Sequence, residues 1–311
     1  MTTDTTPEVA LDHTPVFFPP GEGTYFGIIT RPAANPSTTG LVLLSGTQFG
    51  TTTIGKNRMF VDMARRLAEA GYGSMRFDYQ GVGEALEGVV DYRLDNPATH
   101  AMHAATAAMR AAGFERILVT GTCFGSRTAL VGTAEDPDIA GLLLVVPPVR
   151  DMIKGEGGTT HLALHRNTLS LVGEAVKPST MRRHGLRRIF TVGRRVLRSK
   201  WRLLLRRLRG GGGAGQQRTP PELAGVSPGF LQPLRHLVER AVPIRIMWGT
   251  EDFLYREFLD GTKGRLGQLL ERGGDSIEQT IVEGKVRGFG TVPIQQAVID
   301  ETVTWAQRFP R

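Results

Sequence analysis

One cysteine, Cys123, occurs in 311 residues. That scarcity excludes an internal disulfide framework and any zinc site built on several thiolates. Long hydrophobic runs are missing too: no stretch is apolar enough over the roughly 20 residues needed to cross a bilayer. The opening segment MTTDTTPEVALDHTPVFF lacks a basic start followed by an apolar run, so no secretory signal is expected and the cytoplasm is the simplest location. No histidine follows His236. Acidic residues are absent between Lys177 and Arg218, where 14 basic residues fall. The net charge of +8 is therefore local, and the remainder of the chain is net acidic. No nucleic-acid recognition module accompanies that charge, so no specific nucleic-acid partner is expected.

What is present is ordered alternation. TPVFFPPGEGTYFGIITRP reads as two strands forming an antiparallel hairpin, and GLVLLSGTQFG begins as a buried central strand. NRMFVDMARRLAEAG spaces Met59, Phe60, Met63, Leu67 and Ala70 as a helix stopped by Gly71. YGSMRFDY, ERILVTGT, IAGLLLVVPPV, PIRIMWGT and SIEQTIVEG read as further strands. Between them lie helices over PATHAMHAATAAMRAAG, after Cys123, and over FLYREFLDGTKGRLGQLLERG, with VPIQQAVIDETVTWAQRF as the terminal helix. Such alternation predicts an α/β fold, a mostly parallel sheet flanked by helices on both faces. Right-handed crossovers then gather the strand-to-helix loops on one edge, where ligands bind. The expected core is 1–147 plus 241–311. It is interrupted by an insertion, 148–240, that contains a basic amphipathic segment, 181–209, and a Gly-rich linker, 210–218. Leu197, Trp201, Leu204 and Leu208 make the apolar stripe of that segment.

The stretch that carries chemistry is Gly121-Thr122-Cys123-Phe124-Gly125, between a strand and a helix. The spacing Gly-x-nucleophile-x-Gly suits a strained turn in which side chains at the flanking positions would strike neighbouring backbone. Such a turn sets the sulfur at a helix start, where unpaired N–H groups favour negative charge and hence the reactive thiolate.

These features resemble the α/β-hydrolase superfamily over nearly the whole chain. RFDYQGVGEA looks like that family's strand followed by a Gly-x-Gly loop, and MWGTEDFLY like the late strand whose loop carries the acid. The resemblance implies a nucleophile at Cys123, an acid at Asp252, and oxyanion N–H groups from Phe124 and from Thr47 or Gln48 in SGTQFG. It also implies that the insertion caps the site. A cysteine at the turn is similar to dienelactone hydrolases and polyhydroxyalkanoate synthases, although the remaining sequence looks close to neither.

One part of the pattern is missing. Where the family carries its histidine base, VEGKVRGFGTVP has Arg287-Gly288-Phe289. Three readings follow. The helix end and a cation, Arg287 or Lys285, hold the thiolate while Asp252 orients that cation, which suits acyl transfer from an activated ester or thioester better than hydrolysis. A histidine from elsewhere reaches in, with His161 and His165 in the insertion and His100 and His103 near a helix start as candidates. Or catalysis has been lost, and the protein binds or assists. Asp151 and Glu251 are alternative acids. Asp252 has the Gly-x-x-Asp spacing from Gly249, and it also suits a helix N-cap. No cofactor or metal is expected. The expected partners are a small acyl substrate and, through segment 181–209, either an acidic acyl carrier protein or an anionic membrane surface, which would make the protein peripheral to the membrane.

Overall fold

Three runs with no polar alternation, around Leu41–Leu44, Ile117–Val119 and Leu142–Val145, dictate the centre of the molecule, because only a strand covered on both faces buries every side chain. In the computed structural model they are the central strands. The structure describes residues 9–19, 25–45, 52–85, 93–151 and 225–311. Among these, the strands are β1 (Leu11–Phe18), β2 (Tyr25–Pro32), β3 (Thr39–Leu44), β4 (Gly73–Phe77), β5 (Arg116–Thr122), β6 (Ile139–Val145), β7 (Ile244–Gly249) and β8 (Ile277–Val282). They form one sheet in the order β1-β2-β4-β3-β5-β6-β7-β8. β1 pairs antiparallel with β2, from Leu11↔Pro32 to Phe18↔Tyr25, as the expected hairpin requires. β2 runs antiparallel to β4, and every later pairing is parallel.

The helices are α1 (Met59–Glu69), α2 (Thr99–Ala111), α3 (Phe124–Glu135), α4 (Pro228–Glu239), α5 (Phe253–Gly261), α6 (Arg265–Gly273) and α7 (Val292–Ala306). Because β4 and β5 lie on opposite sides of β3, right-handed crossovers send α1 to one face and α2 and α3 to the other. Thr122 pairs with Val145, Val145 with Met247, and Met247 with Thr280. The carboxyl ends of β5 to β8 therefore line one edge, and the loops leaving them share that edge. Among the described residues no helix is long and apolar enough to cross a membrane.

Two expectations change. Residues 228–239, within the range given to the insertion, form α4, whose Phe230, Leu234 and Leu237 are buried in the same core as β6 and β7. Pro228 is no obstacle because it sits in the first turn, after Ser227 has capped the helix. The single helix expected across FLYREFLDGTKGRLGQLLERG is two, α5 and α6. Thr262 caps the end of the first and Gly264 the start of the second. Residues 152–224 of the expected cap, with segment 181–209 and linker 210–218 among them, lie outside the described residues.

A fully buried arginine ties these loops together. Arg127, on α3, donates to the carbonyls of Leu94 (3.2 Å) and Pro148 (2.8 Å) and to Asp151 Oδ1 (2.9 Å). Asp151 Oδ2 accepts from Ser227 Oγ (2.7 Å), and Ser227 Oγ accepts the Gly229 N–H. Burial pulls the pKa of Arg127 down, and Asp151 opposes that shift. A buried charge is tolerable only when paired in this way. Asp151→Ala, which leaves the guanidinium buried with carbonyl partners alone, is expected to lower unfolding free energy by about 3 kcal/mol in urea titration, and Asp151→Asn by less.

Candidate active site

The turn after β5 is built around close backbone approach. Cys123 has φ 51° and ψ −110°, a conformation that L residues rarely adopt and that persists only when its surroundings enforce it. They do. A Cβ on Gly121 would lie 2.2 Å from the Gly125 carbonyl oxygen, and one on Gly125 would lie 2.5 Å from the carbonyl oxygens of Leu44 and Ser45. The Cys123 N–H donates to Val145 O at 2.9 Å. Ser126 Oγ, fully buried, lies 2.6 Å from Gly121 O and 2.9 Å from Val145 O, so its one proton serves either carbonyl. The residue that follows β6, Val146, also has positive φ (46°), which is costly for a β-branched side chain. The sulfur that results is half-buried and stands at the N-cap of α3.

Phe124 opens α3, and its ring meets Tyr79 edge-on with centroids 6.3 Å apart. Thr47 and Gln48 lie outside the described residues, as do His161 and His165. The backbone of Leu44 and Ser45, from which the Thr47 loop leaves, is the surface that Gly125 touches.

Asp252 follows β7 and is fully buried. Its carboxylate accepts the N–H of Val286 (Oδ2, 3.1 Å) and of Arg287 (Oδ1, 3.0 Å; Oδ2, 3.2 Å). Burial pushes its pKa above the ordinary carboxylate range, and these N–H groups and Lys285 pull the other way. The structure thus joins Asp252 to residue 287 through the main chain. The Arg287 guanidinium instead stacks on Phe253, 4.9 Å from the ring centroid. Lys56, just after the Thr47 loop, donates from Nζ to Gly288 O at 2.8 Å. Lys285 and Glu251 are exposed, and Glu251 meets the same loop through its N–H to Gly284 O.

Other candidates are placed elsewhere. His103 Nε2 sits 3.1 Å from Gly132 O and 3.7 Å from Glu135, nine residues along α3 from Cys123, about 13 Å at helical rise. His100 stands beside Tyr25, with ring centroids 6.3 Å apart, on a strand three places from β5 and so roughly 14 Å across the sheet. Partial burial and His103 push its pKa down. Asp151 is engaged with Arg127 and Ser227. Among the described residues, no group of three or more His, Cys, Asp or Glu could hold a metal.

Sequence reasoning missed Ser126, Arg127 and Asp78. Asp78, buried after β4, accepts the N–H of Thr53 (2.5 Å) and Glu84 (3.1 Å), and so fixes the return of the Thr47 loop. Its signal was present: an aspartate just before Gly-x-Gly is well suited to hold two loop N–H groups.

No family model matches the chain, and no curated protein matches its sequence. Solved structures do. The Pyrococcus furiosus esterase Pf2001 matches with TM-score 0.54 at 13% identity, over 96% of this chain and 91% of that one. Brefeldin A esterase, a bacterial homologue of human hormone sensitive lipase, matches with TM-score 0.54 at 17% identity, over 98% and 78%. The dienelactone hydrolase of Anabaena variabilis matches with TM-score 0.54 at 13% identity, over 97% and 99%. The protein therefore has the α/β-hydrolase fold.

The raised pKa of Asp252 fixes a sign. A carboxyl whose folded value exceeds its unfolded value contributes stability below the unfolded value, about 3.9, and loses it as pH rises through the folded one. The stability advantage of the wild type over Asp252→Asn is expected to shrink between pH 4 and 7, read from urea midpoints. An advantage that grows over this interval would refute the assignment.

Proposed function

We propose that the protein is an acyl-transfer enzyme that works through a thioester on Cys123. The supporting observation is the half-exposed sulfur in a strained turn on the edge where the strand-to-helix loops converge. A buried structural cysteine needs neither the strain nor the two flanking glycines.

In this reading the Cys123 sulfur, at the start of α3, adds as thiolate to the carbonyl of an activated ester or thioester. The Phe124 N–H, with one from Thr47 or Gln48, stabilises the oxyanion. The tetrahedral adduct collapses, the donor's C–S or C–O bond breaks, and the leaving thiolate or alkoxide departs with the electron pair. An amine acceptor then attacks the Cys123 thioester, Cys123 leaves as thiolate, and the acceptor's surplus proton passes to solvent. Water is a poor acceptor here, because general-base assistance is worth about 10²–10⁴-fold and no imidazole stands at residue 287. Asp252 acts as a positioning residue, holding the main chain at 286–287 and with it Arg287.

A second reading, a binding or accessory protein on the same fold, draws on one observation. Both Asp252 oxygens are taken up by main-chain N–H groups, the arrangement expected of an acid kept for structure. Segment 181–209 is proposed as the docking element for an acidic acyl carrier protein or an anionic membrane surface, on the strength of its charge.

Intact-mass spectrometry after incubation with small acyl thioesters is expected to show one acyl adduct, absent in Cys123→Ala. No adduct with any donor would favour the binding protein. Arg287→His places an imidazole on the residue that Asp252 already holds, and is expected to raise thioester hydrolysis at least 10²-fold, measured as thiol release.

A further inference from the structure

Where related folds set a base, this chain gathers three cations, Lys56, Lys285 and Arg287. Among the described residues, none of the ion pairs includes Lys56, Lys285 or Arg287. The Arg287 Nε is buried without a hydrogen-bond partner. Its guanidinium is braced against the face of Phe253, which orients the fork without occupying its N–H groups. Lys56 reaches the carbonyl of the very next residue, Gly288. Of the acids close by, Asp252 has both oxygens on main-chain N–H groups and feels Lys285 only through space, and among the described residues the exposed Glu251 and Glu283 form no ion pair with the cations.

The cluster also lies within reach of the sulfur. Cys123 follows β5, and the loop bound to Asp252 stands over the end of β7, with β6 alone between them. Two strand spacings are about 10 Å, a gap that a short acyl chain and an arginine side chain bridge together. A guanidinium is permanently charged, weakly hydrated and shaped for bidentate contact with carboxylate or phosphate oxygens.

We propose that Arg287, flanked by Lys56 and Lys285, is an anion anchor, and that the site selects acyl donors bearing an oxyanion, either a carboxylate on the acyl chain or a phosphate on the leaving group. Anchoring the donor at its charged end supplies orientation that a site without a base otherwise lacks. The substrate class rests on the acyl-transfer reading, whereas the anchor itself does not.

The single cysteine makes the anchor measurable without any acyl donor. Alkylation of Cys123 by iodoacetate and by iodoacetamide differs only in the reagent's charge. The iodoacetate-to-iodoacetamide rate ratio is expected to be at least tenfold higher in the folded chain than in the same chain in urea. It should fall as salt is added, drop in Arg287→Gln and Lys56→Gln, and be partly kept in Arg287→Lys, with circular dichroism verifying the fold of each. Equal ratios in folded and unfolded chains would overturn the anchor. Succinyl against butyryl N-acetylcysteamine, and butyryl phosphopantetheine against butyryl pantetheine, then locate the oxyanion by which charged donor acylates Cys123 faster. A raised alkylation ratio with no preference in either pair overturns the substrate class. A raised ratio with no acylation at all leaves the anchor standing and removes the acyl-transfer reading on which that class rests.

Discussion

Backbone touches backbone where α3 leaves β5, and the rest of the site follows from that contact. Gly125 rests on the carbonyls of Leu44 and Ser45, and Gly121 rests on Gly125 itself. With no side chain between them, the end of β3, the end of β5 and the first turn of α3 share one small volume. The turn then has only one way to close, with Cys123 forced to positive φ and its N–H directed to Val145. Tight packing around a strained residue is what keeps the strain from relaxing. The strained sulfur position and the root of the Thr47 loop are therefore fixed by the same contact.

The alternation of apolar strands with helices was legible because burial on both faces leaves a signature that no loop imitates. The Gly-x-Cys-x-Gly turn was legible because glycine alone tolerates such proximity. Other features were hidden for physical reasons. The pairing of Arg127 with Asp151 and Ser227 joins residues far apart in sequence, and nothing local to Arg127 says that it is buried. The helix α4 looked like part of the insertion, because amphipathic spacing shows that a face is buried without showing what buries it. The break between α5 and α6 turned on Gly264, one glycine among several in a segment with helical spacing throughout.

Residue 287 is an arginine, and the structure shows what holds the loop that carries it. Asp252, fully buried, grips that loop by its main chain, which is indifferent to the side chain carried there. Residue 287 can therefore change without dismantling the loop. A fold that separates scaffolding from side-chain chemistry in this way lets one position alter what the site does while its neighbours stay in place.

Asp151 and Ser227 are hydrogen-bonded to each other, and one arginine grips the chain just before the first of them. The polypeptide thus departs from the core and rejoins it at a single knot, whatever lies between. Closing a longer or shorter excursion at such a knot changes chain entropy only slowly with length. The core can consequently host segments of very different size and composition at this point, which makes it a natural place for evolution, or an engineer, to exchange one excursion for another.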